Sequence, residues 1–219
     1  MGDLCVQDGQ KMVLIGDSIT DCGRRELSGG PLGNGYAAFF VDLVTAKYPE
    51  RKIRFVNKGI SGNTVLDLEA RWGADVVAER PNWLSVMIGI NDLHRTLNGV
   101  FDIPPAVYRE RYAPLLEQAA ERCGARLVLL EPFYMITERE ADAAQKVVLN
   151  LLPGYIQVVH ELAEKFGARL VRLQDMFERH LRHRPFTAFC AEPVHPNRTG
   201  HMLIAWELLA TLEREEQAG

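Results

Sequence analysis

No apolar run in these 219 residues approaches the roughly 18 needed to span a bilayer, so no membrane segment is expected. The N-terminal MGDLCVQDGQ lacks a basic region followed by an apolar core, the pattern of a secretory signal. Basic charge is not in excess either. Lys and Arg number 25 against 29 Asp and Glu, a net charge of −4. Neither nucleic acid nor anionic membrane is then an expected partner, because both call for a basic patch. Cysteine is scarce and scattered. Cys5, Cys22, Cys123 and Cys190 form no CxxC pair, so neither a zinc site nor a disulfide framework is indicated, and free thiols in a reducing cytoplasm are expected. No metal or cofactor is called for. Linkers, repeats and low-complexity segments are lacking too. With 47% apolar and 25% charged residues, the chain reads as one globular domain over residues 1–219, fraying in the tail EREEQAG.

What is there begins with Lys11–Asp21, KMVLIGDSITD. The apolar run Met12–Ile15 stops at Gly16, and Asp17 and Ser18 follow at once. This reads as a buried strand that ends in a tight turn carrying a serine. In parallel α/β sheets ligands bind beyond the carboxyl ends of the strands. Ser18 and Asp17 are equally good helix caps. On this stretch alone the cap is favoured over the nucleophile for Ser18, and the cap is favoured for Asp17 as well.

The same architecture recurs. Ile53–Asn57 is a second strand, running into the turn KGISGNT. Trp83–Ile88 is a third, apolar almost throughout and so buried on both faces, and it ends in the polar turn Gly89-Ile90-Asn91-Asp92. Arg126–Leu130 and Arg169–Leu173 supply the fourth and fifth. Helical spacing of apolar residues marks Tyr36 to Tyr48, Val65 to Val76, a region up to Cys123, Tyr155 to Phe166, Met176–Leu181, and Met202 to Leu212. Pro114 is expected to start the main segment of the third of these, and Pro153-Gly154 to start or kink the fourth. Leu97–Pro105, Cys22 to Tyr36 and Arg184–Asn197 read as loops. Strand and helix alternate about five times, which implies a central parallel sheet with right-handed crossovers and helices on both faces.

All strand ends of a parallel sheet lie on one edge, so Ser18, Gly62-Asn63 and Asn91-Asp92 are expected together. His195 lies between Val194 and Pro196 in the stiffened loop Glu192-Pro-Val-His-Pro-Asn. Such a set supports acyl transfer. A serine hydroxyl needs an adjacent base at neutral pH. His195 can take its proton, and Glu192 can hold the imidazole and stabilise its charged form. The oxyanion of the tetrahedral intermediate needs donors, each worth about 3–4 kcal/mol. The backbone N–H groups of Ser18 and Gly62 and the amide of Asn91 are the candidates. His94 is near enough to Asn91 to line the pocket. The remaining histidines sit in helical or variable contexts and are expected to be bland.

The blocks GDSIT, KGISGNT, GIND and VHPN, in this order, resemble the four signature blocks of the SGNH (GDSL) hydrolase family. The wider wording GDSITDCGR, NKGISGNTV, MIGIND and VHPNRTGHMLIA is most similar to bacterial acetyl xylan esterases and related carbohydrate acetylesterases. The resemblance implies a flavodoxin-like three-layer α/β/α sandwich. It also implies Ser18 as nucleophile, His195 as base, and Ser18, Gly62 and Asn91 as oxyanion donors. Two positions depart from the family wording. Ile19 replaces the Leu of GDSL. Glu192 stands where an Asp three residues before the histidine is usual, which moves the carboxylate by about 1.5 Å at most. Glutamate serves as triad acid in some α/β hydrolases.

The expected activity is a cytoplasmic serine esterase that removes acetyl groups from sugars such as acetylated xylo-oligosaccharides. A homo-oligomer is expected on resemblance alone. Three alternatives stand beside this one. The first is a broad short-chain carboxylesterase, arylesterase or lipid acetylhydrolase. The second is a metal-dependent phosphoesterase using Asp17, Asp21, Asn91, Asp92, His94 and His195 as ligands. The third is a non-catalytic carbohydrate-binding module on the same fold.

Overall fold

A computed structural model describes residues 3–26 and 30–213. The expected fraying of the tail past Glu213, and the centre of the loop between Cys22 and Tyr36, fall outside these residues. Five strands form one parallel sheet: β1 (Lys11–Gly16), β2 (Arg54–Asn57), β3 (Trp83–Met87), β4 (Arg126–Leu130) and β5 (Arg169–Val171). Their spatial order is β2-β1-β3-β4-β5. The chain first adds strands on one side of β1 and then on the other. The switch point, where a doubly wound sheet opens a crevice, therefore lies between the ends of β1 and β3.

The helices are α1 (Ser18–Asp21), α2 (Tyr36–Lys47), α3 (Val65–Trp72), α4 (Ile90–Leu97), α5 (Pro105–Cys123), α6 (Ala143–Lys165), α7 (Leu173–Leu181) and α8 (Arg198–Glu213). A π-helical turn, Gly73–Val77, extends α3. One layer holds α2 packed on α8 with α7 beside it, and the other holds α3, α5 and α6 in series with α4 against α6. The layers explain the patterning. Every residue of β3 is buried, as are Met12 to Gly16 of β1, because helices cover both faces.

Three helices differ from the sequence expectation. The stretch after β3 is not an irregular turn but the start of α4, whose polar first turn hides the helical period. Pro114 lies inside α5, which opens at Pro105 in its first turn. Pro153 lies inside α6, which opens at a capping box between Asp142 and Gln145. A mid-helix proline costs about 3 kcal/mol. Tyr108, Tyr112, Leu115, Leu116 and Ala119 of α5 are buried along one face, as are Leu152, Tyr155, Val159 and Leu162 of α6. Burying a large apolar side chain is worth about 1.5–3 kcal/mol, so these stripes outweigh the prolines.

Candidate active site

β1 delivers the first piece. Its last residue, Gly16, is followed by Asp17, whose Oδ1 accepts a 3.0 Å hydrogen bond from Ile19 N and caps α1. Ser18 is the first residue of that single turn. The first N–H groups of a helix have no intrahelical acceptor, and none of the described residues accepts from Ser18 N–H. The cap and nucleophile roles thus fall to two residues: Asp17 caps, and Ser18 is left open.

Ser18 Oγ lies 2.8 Å from His195 Nε2, across 177 residues of chain. His195 Nδ1 lies 2.5 Å from Glu192 Oε1. Glu192 also accepts from the backbone N–H groups of Val194 and His195, at 3.0 and 2.8 Å. Burial raises the Glu192 carboxyl, but those two N–H groups and the His195 ring outweigh it and hold the group below the ordinary carboxylate range. The two side chains remain about half exposed, His195 at 58% and Glu192 at 50%, so solvent screens the pair. The loop is anchored by Met135 N, which donates to Pro193 O at 2.8 Å, and by a backbone bridge between Cys190 and Pro196. Two residues on from His195, Asn197 Oδ1 accepts from Thr199 N and Gly200 N at 2.9 and 3.1 Å at the start of α8.

β2 and β3 deliver the donors. Gly62 has φ +80°, a conformation that favours glycine. Its carbonyl is held by Arg95 Nη2 at 3.0 Å, and none of the described residues accepts from its N–H. Asn91 lies in the first turn of α4. One hydrogen of its Nδ2 goes to Asn63 O at 3.0 Å, which fixes the amide and leaves the second hydrogen for a ligand. Gly59 permits a close approach. A Cβ there would stand 2.2 Å from Asp21 N, so the turn after β2 lies directly against α1.

Two acids lie beneath. Asp17 and Asp92 are 1% and 0% exposed. Desolvation raises each from 3.8 to about 7, against backbone bonds from Ile19 and Val65. Asp92 Oδ1 accepts from Val65 N at 2.9 Å, while its Oδ2 is buried with no partner among the described residues. Asp21 Oδ2 accepts from Arg25, from Ser61 N and from Ser61 Oγ, tying α1 to the Gly62 turn. Asp17, Asp21, Asn91, Asp92 and His195 are thus each engaged with a different partner. Among the described residues no three His, Cys, Asp or Glu side chains gather as a metal site. His94, one turn after Asn91, stands edge-on to Tyr134 with centroids 6.1 Å apart. Burial lowers its imidazole, with Glu192 opposing and His195 adding.

Three of the bland histidines have partners of their own, His180 Nδ1 with Met176 O at 2.8 Å among them. His160 meets the buried Glu131, and His201 accepts from Tyr36 N at 3.1 Å beside Cys22. Sequence reading missed Arg71 and Arg95, and it offered Asp21 only as a metal ligand, not as the tie between α1 and the Gly62 turn. The available signal was a cluster of Asp and Arg on the helices that follow each strand end. The four cysteines are all free thiols.

Residues 14–203 match the model of the GDSL-like Lipase/Acylhydrolase family. The chain belongs to this family. An acetylxylan esterase of Geobacillus stearothermophilus is 41% identical over 207 residues, covering 91% of this chain and 92% of that one. A solved structure of that organism's acetylxylan esterase Axe2, a catalytic mutant, superposes with a TM-score of 0.87 at 37% identity, covering 97% of this chain and 98% of that one. Another Axe2 structure is described as an acetyl-xylooligosaccharide esterase. A third neighbour, the α/β hydrolase LAE5 from the metagenome of Lake Arreo, superposes at 0.85 with 36% identity, covering 96% of this chain and 98% of that one. Catalytic mutants of Axe2 replace a serine, an aspartate and a histidine by alanine. This GDSL hydrolase has the three-layer fold of its relatives, as its wording implied, and no helix among its described residues is long and apolar enough to cross a membrane.

Proposed function

We propose that the chain is a serine esterase that removes acetyl groups from xylo-oligosaccharides through an acetyl-enzyme. The observation that carries this is the relay from Ser18 Oγ to His195 Nε2 and from His195 Nδ1 to Glu192, at 2.8 and 2.5 Å. Ser18 Oγ attacks the acetyl carbonyl carbon while His195 Nε2 takes its proton. The carbonyl oxygen becomes an oxyanion bound by Ser18 N, Gly62 N and Asn91 Nδ2. Glu192 holds the imidazolium without taking the proton. The intermediate collapses, the sugar oxygen leaves with the proton from His195, and acetyl remains on Ser18. Water, deprotonated by His195, then releases acetate. The acetyl and xylo-oligosaccharide assignment is supported by the 41% identity to the acetylxylan esterase.

The test is initial rates on acetylated xylo-oligosaccharides beside aryl acetate, butyrate and octanoate esters, with Ser18→Ala as control. Preference for acetate esters and an inactive but folded Ser18→Ala are expected. A flat or rising kcat/KM from acetate to octanoate leaves the broad carboxylesterase instead. A cytoplasmic site of action on imported fragments goes with this reading. So does a homo-oligomer, for which Trp206 of α8, 62% exposed, offers an apolar surface. Sedimentation as a monomer at micromolar concentration would remove that part.

A further inference from the structure

Arg71 is in the last turn of α3, with its side chain 15% exposed. Its guanidinium donates to the end of β1 and to two points of the turn after β2. Nη2 reaches Gly16 O at 3.1 Å, Nη1 reaches Lys58 O at 2.7 Å, and Nε reaches Asn63 Oδ1 at 2.8 Å. Nη1 also pairs with Asp75 at 2.7 Å, which balances the charge.

These acceptors share one property. Gly16 ends β1 two residues before Ser18. Lys58 opens the turn after β2. Asn63 follows Gly62 directly, and its carbonyl accepts the Asn91 amide at 3.0 Å. Every candidate oxyanion donor therefore lies one hydrogen bond or one or two residues away from a point that Arg71 holds. A planar guanidinium with five donors in a rigid fork can do this. An ammonium, a single compact charge, cannot span the three directions.

We propose that Arg71 is a positioning residue that sets the spacing of the three oxyanion donors. It touches no reacting atom. It fixes the end of β1 and the Asn63 turn in one rigid frame, so that the Ser18 and Gly62 N–H groups and the Asn91 amide converge on the same point. The role rests on the esterase reading of Ser18. Donors of this kind act by preorganisation, and a misplacement of about 1 Å costs about 10² in rate.

The experiment is steady-state hydrolysis of p-nitrophenyl acetate by Arg71→Ala and Arg71→Lys. It is paired with inhibition by a boronic acid whose tetrahedral adduct on Ser18 places an oxygen among the donors. In Arg71→Ala, kcat is expected to fall about tenfold to a hundredfold with KM within twofold, and boronate inhibition to weaken by a similar factor. Added guanidinium ion should restore part of kcat. Arg71→Lys should be as impaired as the alanine variant. Wild-type kcat in Arg71→Ala, a change confined to KM, or full activity in Arg71→Lys overturns the proposal. Should Arg71→Ala fail to fold, Asn63→Leu removes one acceptor and leaves Arg71 in place. It must show a smaller loss in kcat alone, and an unchanged kcat overturns the proposal. Full activity in Ser18→Ala overturns the esterase reading itself. An inactive Ser18→Ala beside a normal Arg71→Ala overturns only the positioning role.

Discussion

Replacing Glu192 by glutamine keeps the size of the side chain and removes its charge. The structure shows why this is severe. Oε1 accepts from both His195 Nδ1 and His195 N, and Oε2 accepts from Val194 N. Glutamine has one acceptor oxygen for these two positions. With its NH2 in place of Oε2, a donor faces the Val194 N–H. With its NH2 in place of Oε1, it faces Nδ1 and drives the imidazole proton to Nε2, where it confronts Ser18 Oγ. That tautomer cannot accept the serine proton. The charge lost beside the imidazolium is worth about 1 kcal/mol in bulk water and about 4 kcal/mol near a protein surface at a separation of about 4 Å. Both groups are about half exposed, which puts the pair between these limits. Charge and tautomer together are expected to lower kcat by about 10²–10³. This is less than the roughly 10⁴ for the buried acid of a serine protease, and the oxyanion donors keep their share of the rate. The assay is kcat on p-nitrophenyl acetate near neutral pH, with melting temperature as a check on folding. Glu192→Asp should stay active, since aspartate keeps the charge and both oxygens. A kcat for Glu192→Gln within about threefold of wild type, well under 1 kcal/mol, would refute the reasoning and make Glu192 a bystander.

Two further outcomes follow from the site. Gly62→Ala meets only an ordinary 3.5 Å contact with Arg95, but it forces an alanine to φ +80°. Expected are a stability loss of about 1–2 kcal/mol and a kcat loss of about tenfold as the N–H turns away; unchanged melting temperature and kcat would show that the turn does not constrain the donor. Asp92 carries a carboxyl raised from 3.8 to about 7 in the folded chain, mainly by desolvation. The folded state then holds more protons than the unfolded one between those values. Its stabilisation is complete below about pH 3.8 and declines as the pH rises towards 7. Asp92→Asn removes that dependence, so its melting temperature should gain on wild type from pH 4 to 7; parallel curves would mean that Asp92 does not titrate in this window.

Much of the fold was legible because the strands are buried on both faces and read as apolar runs. β1, β3 and β4 lie within a residue of their expected positions, and β5 is shorter at its far end. Helix α4 was not legible, since its first turn spends Asn91 on the site and Asp92 on Val65 N instead of on an apolar stripe. The prolines of α5 and α6 misled for the opposite reason, because local propensity lost to long-range packing. Ser18, Gly62 and Asn91 were legible as strand-end residues, and Glu192 and His195 as a pair in a proline-stiffened loop, which the fold brings back to Ser18. The role of Arg71 was not, because nothing local tells a surface salt bridge on a helix from a guanidinium that joins the ends of two strands.

The loop from Glu192 to His195 has a consequence for inactivation by heat. Glu192 grips its own loop through Val194 N and His195 N as well as through the ring, so acid and base form a self-contained cassette. Warming that frees the cassette from Met135 would carry both groups off together, still bonded to one another. Beyond the Met135 contact, the 2.8 Å contact between His195 and Ser18 is what joins the cassette to the end of β1. Activity should therefore fade before the sheet melts. The intermediate on the way would be a chain with its five strands and its acid–base pair intact, and its serine alone.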